Sequence, residues 1–248
     1  MPVRYLWLVL AGFGGGLTGS VAGLASLISY PALLGVGISP ISANVSNTVA
    51  LLFNSVGSVW GSRPELAGQR VLARGLATVA AAGGIFGAAL LLLTPGQTFE
   101  RIVPFLIGAG SLALLIPRRR HVVPTGHEKP RWELAAGVFA IAVYGGYFGA
   151  AAGVIMLGVL LFVTGEPLPR SNAMKNLLLG LANGVAAIGF ALFGPVRWGA
   201  VLPLAVGFLA GGRLGPVIVR RAPATPIRIG ICVAGLGLAV HLGLDAYR

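Results

Sequence analysis

The chain has 248 residues, of which 56% are hydrophobic and only 10% are charged, and its mean hydropathy is +0.89. A soluble domain carries about a quarter charged residues, so this composition excludes an ordinary water-soluble fold and indicates a protein surrounded by a lipid bilayer. The net charge of +12 does not indicate a nucleic acid partner, because the basic residues stand between apolar runs rather than along one face. The single cysteine, Cys232, excludes an internal disulfide.

Eight apolar runs are long enough to cross the bilayer, which takes about 20 residues each. They are residues 5–36, 40–60, 72–94, 99–117, 133–165, 170–193, 198–219 and 226–245. The first and fifth are over-long, at roughly 32 residues each, and are so rich in glycine that each could be broken into two pieces. We therefore predict an all-α integral membrane protein with about eight transmembrane helices.

The middle of the chain is a basic, Pro- and Gly-containing linker at residues 118–131, and the sequences on its two sides repeat one another. Gly15, Gly19 and Gly23 recur 130 residues later as glycines, and Asn47 and Asn54 recur 129 residues later as asparagines. This order of matches predicts a first four-span repeat at 1–117 and a second at 132–248. Internal duplication is common in secondary transporters.

The distribution of basic residues predicts the orientation. If all eight runs cross the bilayer, the N-terminus, the loop after residue 61, the linker, Arg197 and the C-terminus share one side, which then holds eleven cations against five. The positive-inside rule places that side, with both termini, in the cytoplasm. Four crossings in each half make the repeats parallel. If the first and fifth segments fold back without crossing, this count changes, and the sequence leaves the choice open.

The first candidate site is the glycine cluster at residues 12–23 and its echo at residues 145–153, which contain the candidate residues Gly19 and Gly149. One interpretation is close helix packing through small residues. The other is a broken span whose freed amides face an anion, with Thr18, Ser20 and Ser26 as additional hydroxyl donors. A nucleotide-binding loop is not supported, since no Gly-Lys-Ser/Thr ending follows.

The second candidate site is a pair of polar helix starts, each opened by a proline, at residues 40–48 and 169–176. Asn47 and Asn54 stand two helical turns apart and so share a face, as do Asn176 and Asn183. Asn44 and Ser46 belong to the same polar run. These side chains either form hydrogen bonds between helices or line a polar path for a substrate.

Lys175 is the third candidate, because it stands inside the apolar run 170–193. A cation inside a bilayer costs a few kcal/mol or more unless it has a partner, and a substrate anion could be that partner. The alternative is snorkelling, because Arg170 at the start of the run is only about 7.5 Å away along a helix. The first half has Ser46 at the equivalent position, which suits one anion bound away from the symmetry axis.

The acidic residues and histidines all fall outside the middle of the apolar runs. Cation pumps and intramembrane aspartyl proteases need buried carboxylates, so the chain fits neither class. Paired metal-ligand spacing and a base that could activate a nucleophile are also missing from the sequence. We therefore expect no enzyme activity, no metal site and no cofactor.

The sequence resembles the sulfite exporter TauE/SafE family of bacterial membrane permeases. The resemblance rests on Gly15-Gly16-Leu17-Thr18-Gly19-Ser20-Val21-Ala22-Gly23, Tyr30-Pro31-Ala32-Leu33-Leu34, the run 42–48 and the second-half echo that ends at Asn183. It implies a bacterial inner-membrane location and transport, often outward, of sulfite, sulfonates or related small organic and sulfur anions.

We therefore expect a secondary transporter of a small oxyanion in which Lys175 supplies charge and hydrogen bonds come from Asn47, Asn176, Thr18 and Ser20. The other candidate substrate-binding residues are Gly19, Gly149, Asn54, Asn183, Ser46 and Asn44. The alternatives are an anion channel with the same lining and a non-transporting scaffold subunit. The sequence leaves the oligomeric state open, a homo-oligomer included.

Overall fold

The structure is a computed structural model that describes residues 2–113, 131–219 and seven single positions between 233 and 244. Every regular element among these residues is helical, which confirms the all-α membrane fold. Most of the linker at 118–131 and most of the eighth predicted run at 226–245 lie outside the described residues.

Ten helices are described. They are α1 (Pro2–Ala22), α2 (Ala25–Gly35), α3 (Pro40–Gly61), α4 (Arg63–Leu66), α5 (Arg70–Leu93), α6 (Gly96–Ala113), α7 (Arg131–Tyr147), α8 (Ala152–Thr164), α9 (Leu168–Phe193) and α10 (Trp198–Val219). Four of these, α1, α5, α9 and α10, are both long and apolar enough to cross a membrane. With 11 and 13 residues, α2 and α8 extend only about 16 and 20 Å, which is less than the hydrocarbon thickness.

Both over-long segments are broken, as their length and glycine content suggested, and each forms a helical hairpin. The chain turns at Gly23 and at Gly149, where φ is +79° and +74°, a conformation that glycine adopts without steric cost. In the second hairpin, Gly145 faces Ala152 and Gly137 faces Val159, so α8 runs back along α7. In the first, Ala25 at the start of α2 lies against Gly15 and Gly19 of α1.

The first hairpin begins and ends at the same end of the molecule. Arg4 and Tyr5 at its start share a surface hollow with residues 37–39, which follow its end. The hairpin therefore makes no net crossing.

The two repeats are inverted relative to one another. Their equivalent helices α3 and α9 pack side by side, with Ser55 facing Gly180 and Leu52 facing Gly184, so residue numbers rise along one helix as they fall along the other. The parallel arrangement expected from eight crossings is wrong, because that count treated each hairpin as a full span. The open alternative, in which the first and fifth segments fold back, is the one that the structure adopts.

The inverted arrangement also changes which charges share a side. Because α1 and α3 both run parallel to α10, Arg4 at the start of α1 lies opposite Arg63, which follows α3. We call the end of the molecule at which α1 starts the Arg4 end. We call the other end, at which α3 finishes and α5 starts, the Arg70 end. Arg197 shares the hollow with Arg4, whereas Arg170 donates a hydrogen bond to the Ala67 carbonyl at the Arg70 end. The expected grouping of Arg4 with Arg63, Arg70 and Arg74 is therefore wrong.

The repeats interlock in space, since each contributes its third predicted span to the other. Helix α10 packs along α1 and α3, and α5 packs along α7 and α9. Glycines allow backbones to touch at these crossings, for example at Gly16 with Gly211 and at Gly87 with Gly146. One buried apolar cluster joins α5, α7, α8 and α9, and a larger one is centred on α1, α2, α3 and α10. The spatial bundles therefore do not coincide with the sequence halves.

Candidate functional site

A pocket lies where the two hairpin turns meet α3 and α9, with a cavity volume of about 50 Å³. Six of the predicted site residues line it, namely Gly19, Gly149, Asn54, Asn183, Lys175 and Asn176. The other five, Thr18, Ser20, Asn44, Ser46 and Asn47, lie outside the lining. None of the described residues that form the wall is acidic.

Lys175 is buried on the wall of this pocket, with only 1% of its surface exposed. Its Nζ donates to the carbonyl oxygens of Gly19 at 3.0 Å and Ser20 at 3.2 Å. These carbonyls belong to the last turn of α1, where the helix dipole is negative and favours a nearby cation. In this structure the side chain therefore points into the protein and does not snorkel to the membrane surface.

The end of α1 is held by three side chains of α9. The Ser20 carbonyl, besides the lysine, accepts hydrogen bonds from Asn172 Nδ2 at 2.9 Å and Asn176 Nδ2 at 3.3 Å. A broken helix leaves such carbonyls without intrahelical partners, and in an apolar surrounding each must be satisfied by another group. Helix α9 of the second repeat thus stabilises the break in the first.

A reciprocal contact holds the break in the second repeat. Asn44 of α3 donates from Nδ2 to the carbonyl of Tyr147, the last residue of α7, at 2.8 Å. Asn44 and Asn172 occupy nearly equivalent places in the two repeats. Each half therefore caps the broken helix of the other half. The capping residue is an asparagine in the first two turns of a helix, Asn44 in α3 and Asn172 in α9.

Asn47 and Ser46 form contacts elsewhere. Asn47 donates to Ser26 Oγ at 3.1 Å and accepts from Ser29 Oγ at 2.6 Å, which ties α3 to α2. Ser46 Oγ accepts a hydrogen bond from the Arg197 backbone N–H at 2.8 Å. The equivalent asparagines Asn47 and Asn176 thus have different roles in this structure, one inside its own repeat and one between repeats.

The hydroxyls of Thr18 and Ser20 bond to their own helix. Thr18 Oγ1 donates to the Gly14 carbonyl at 2.9 Å, and Ser20 Oγ donates to the Gly16 carbonyl at 2.8 Å. Hydroxyls used in this way satisfy helix carbonyls and are not presented to the pocket. The backbone carbonyl of Ser20, rather than its side chain, is the group that meets α9.

Helix α3 brings two further polar side chains, Asn54 and Ser58, to the pocket. Asn54 is 8% exposed and lies between Gly19 of α1 and Gly212 of α10, and Ser58 stands one turn further along α3. Asn54 Oδ1 and Ser58 Oγ form no hydrogen bond within the described part of the chain. Buried polar atoms are usually paired. Asn54 Oδ1 is an acceptor that lies against Gly212, so of these two atoms only the Ser58 hydroxyl could donate to an anion. Asn183 lines the same pocket and is half-buried.

Sequence reasoning missed two polar residues, Asn172 and Ser58. Both continue stripes that had been recognised, since Asn172 stands one helical turn before Asn176 and Ser58 one turn after Asn54. A search for polar residues four positions from the selected asparagines would have found both. Among the described residues, no three His, Cys, Asp or Glu side chains come together in a way that could hold a metal ion.

Comparison with known proteins identifies the family of the chain. The sequence profile of the sulfite exporter TauE/SafE family matches residues 8–242. The chain belongs to this family. The resemblance drawn from its glycine-rich segments is therefore confirmed over nearly the whole length.

Its relatives are described as membrane transporters. The probable membrane transporter protein ORF9 of Sinorhizobium sp is 28% identical over 96% of this chain and 92% of its own length. The probable membrane transporter protein YfcA of Escherichia coli K12 is 26% identical over all of this chain and 91% of its own length. A probable membrane transporter protein of Haemophilus influenzae is 26% identical over 96% of this chain and 94% of its own. The TauE/SafE chain is thus a multi-pass membrane transporter.

Proposed function

We propose that this TauE/SafE protein is a secondary carrier that binds one small oxyanion, such as sulfite or an organic sulfonate, beside Lys175. The observation that carries the proposal is the position of the Lys175 ammonium, buried on the wall of a pocket whose described lining contains no acidic residue. A cation held in a membrane protein away from water is costly, and an anion entering the pocket would offset that cost.

The two carbonyls that contact Lys175 are partial compensation for its charge. A carbonyl carries only a fraction of the negative charge of an oxyanion, so a charge-assisted bond to the anion is the stronger interaction. The ammonium can therefore exchange Gly19 and Ser20 for an arriving anion while its stem stays in place. In this proposal the carbonyls hold the lysine side chain in position until the anion binds.

Uncharged donors complete the proposed site. Asn176 and Asn183 of α9 and Ser58 of α3 line the pocket, and the Ser58 hydroxyl has no partner among the described residues. Three hydrogen-bond donors beside the Lys175 ammonium suit the several oxygens of a sulfite or sulfonate group. The same geometry discriminates weakly between oxyanions of similar size, so substrate choice within this class is left to the experiment.

The interlocked inverted repeats support a carrier mechanism. In transporters built this way, the substrate site lies at the repeat interface, and rocking of one bundle against the other exposes it to each side in turn. Here the two hairpin turns close on one another beside the pocket. We infer alternating access of this kind, and we infer that the anion is transported outward. A channel would need an open path on both sides at once.

The corrected charge distribution supports an orientation opposite to the one expected from the sequence. The Arg70 end carries Arg63, Arg70, Arg74 and Arg170. Helix α7 runs parallel to α5 and so also starts at this end, at Arg131, the last residue of the basic run 118–131. The positive-inside rule then favours a cytoplasmic Arg70 end in the bacterial inner membrane. In this proposal the Arg4 end, with the N-terminus, faces the extracytoplasmic side.

Uptake and exchange of radiolabelled sulfite and of a labelled sulfonate by the purified protein in liposomes test the proposal. We expect saturable flux that is accelerated by unlabelled anion on the other side, and loss of flux in Lys175→Met. The matched control is Arg213→Met, which removes another cation within a span. Arg213 is exposed and stacks on the Trp60 ring at 4.1 Å, away from the pocket.

The two variants separate the outcomes. Flux that survives Lys175→Met would disprove the role of the lysine, and flux lost equally in both variants would indicate a general need for positive charge. If wild-type protein moves and binds neither anion, the oxyanion class is wrong. Flux without saturation or exchange would favour the channel.

A further inference from the structure

A second polar hollow lies at the Arg4 end, apart from the Lys175 pocket. It has a cavity volume of about 550 Å³ and is formed by the start of α1, the connection between α2 and α3, and the connection between α9 and α10. Arg4, Tyr5, Ser39, Arg197 and Trp198 are among its lining residues. The hollow thus gathers segments from both repeats around one opening.

The charge of this hollow has one sign. Arg4 and Arg197 supply two guanidinium groups, and no acidic residue is part of its described lining. Glu100, which stands near the start of α6, does not contribute to the wall. Guanidinium groups bind oxyanions through paired N–H donors, and two of them facing one cavity raise the local concentration of anions.

Two long helices add partial positive charge at the same place. Helix α3 starts directly after Ser39, whose side chain makes no capping hydrogen bond, and α10 starts at Trp198 within the wall. The N-terminus of a helix carries positive partial charge and free N–H groups. These groups support the arginines and do not define the site alone.

The hollow is connected to the polar start of α3. The Arg197 backbone N–H bonds to Ser46 Oγ, and Ser46 stands directly before Asn47 and two residues after Asn44. Ser42, Asn44, Ser46 and Asn47 are all buried. A run of buried polar side chains therefore leads inward from the arginine-lined hollow.

We propose that this hollow is a second oxyanion-binding site, in which Arg4 and Arg197 bind the oxygens of a sulfonate, sulfate or phosphate group. Its use as a loading or release site for the carried anion rests on the proposed function, whereas the binding chemistry does not. The same chemistry could be supplied by the phosphate of an acidic lipid, and the experiment separates the two sources.

The first arm measures binding of inorganic sulfate to the full chain in nanodiscs of phosphatidylcholine at constant ionic strength. Trp198 serves as the reporter after Trp7, Trp60 and Trp132 are each changed to Phe, because it lines the hollow and is half exposed. We expect a saturable change in Trp198 fluorescence, weakened about tenfold or more by the Arg4→Gln/Arg197→Gln double variant. Arg74→Gln, which removes a charge from the Arg70 end, is expected to bind sulfate like its parent.

The second arm measures retention of phosphatidylglycerol by the purified protein. One outcome is that sulfate does not change Trp198 fluorescence, but the double variant retains less phosphatidylglycerol than Arg74→Gln does. In that case the oxyanion site stands and a lipid phosphate occupies it. If neither sulfate nor the lipid distinguishes the double variant from Arg74→Gln, the site does not exist and the inference is overturned.

Flux measurements separate this inference from the proposed function. For a loading site, the double variant raises the apparent KM for sulfite in liposomes and leaves the maximal rate unchanged. If liposomes with the wild-type protein show no anion flux while Trp198 fluorescence still changes on addition of sulfate, the carrier proposal fails and the second site stands. If flux depends on Lys175 but sulfate and lipid fail to distinguish the double variant, only the second site fails.

Discussion

Gly23 and Gly153, which stand 130 residues apart at equivalent places in the two repeats, lie backbone against backbone. Gly23 is the turn of the first hairpin, and Gly153 is in the first turn of α8 just after the second hairpin turn. Both residues line the Lys175 pocket. The two breaks therefore support one another beside the pocket, and movement of one hairpin must be accommodated by the other.

We expect Gly153→Ala to destabilise the protein. Its new methyl group would overlap the Cα of Gly23, and overpacking of this kind costs about 1–3 kcal/mol. The matched control is Gly158→Ala in the same helix, because no atom lies within 4 Å of the position that its methyl group would occupy. Thermal unfolding of the two purified variants in detergent measures the difference. Equal unfolding temperatures would mean that the hairpin turns are not in contact.

A second prediction separates capping of α1 from binding of substrate. Asn172 donates the shortest hydrogen bond to the Ser20 carbonyl and does not line the pocket, whereas Asn183 lines the pocket. Asn172→Ala should therefore lower the free energy of unfolding by about 1 kcal/mol and leave the apparent KM for the anion unchanged. Asn183→Ala should raise the apparent KM with little change in stability. The opposite pattern would show that Asn172 contacts the anion and that Asn183 stabilises the fold.

The parts of this architecture that follow from local chemistry could be predicted from the sequence. Dense glycine in a run of about 32 residues indicated a break, and the structure has one in each such segment. Lys175 was conspicuous because few cations stand inside an apolar run, and the structure places it on the pocket wall. Its role in binding an anion remains a prediction.

The direction of the repeats could not be predicted in the same way. It depends on whether α2 and α8 return to the side they came from, and an apolar helix of 11 or 13 residues reads the same in either case. Because the number of crossings before each later loop depends on this, the sequence did not determine on which side of the membrane each later charge lies. The exchange of α5 and α10 between bundles depends on close contacts such as Gly16 with Gly211, whose partners are far apart in sequence.

A third prediction tests the orientation. In a Cys232→Ser background, Ser39→Cys places a thiol at the Arg4 end and Ala67→Cys places one at the Arg70 end, and both positions are exposed. A membrane-impermeant maleimide should label Ser39→Cys in intact bacterial cells and Ala67→Cys only after the membrane is permeabilised. Labelling of Ala67→Cys alone in intact cells would reverse the orientation, and labelling of both thiols in intact cells would contradict the fold.

The last prediction tests the inverted arrangement and the carrier mechanism together. A β-carbon at Gly180 of α9 would lie 2.9 Å from that of Ser55 of α3, so the double variant Ser55→Cys/Gly180→Cys needs only a small outward shift to form a disulfide. The pair Ser55→Cys/Gly184→Cys is the matched control, because Gly184 faces Leu52 one turn away. In the Cys232→Ser background, oxidation should cross-link the first pair and not the second.

The stretch of α9 around Gly180 packs in the cluster of α5, α7, α8 and α9 through Leu178 and Ala182, whereas the buried apolar residues of α3 are in the other cluster. This cross-link would therefore fasten the two bundles together. A carrier that rocks one bundle against the other would then lose anion flux on oxidation and regain it on reduction, whereas a channel with a fixed path would keep its flux. Flux in the cross-linked protein equal to that of the reduced protein would rule out relative motion of α3 and α9 as the transport step. The wild-type protein treated with the same oxidant controls for damage to other groups.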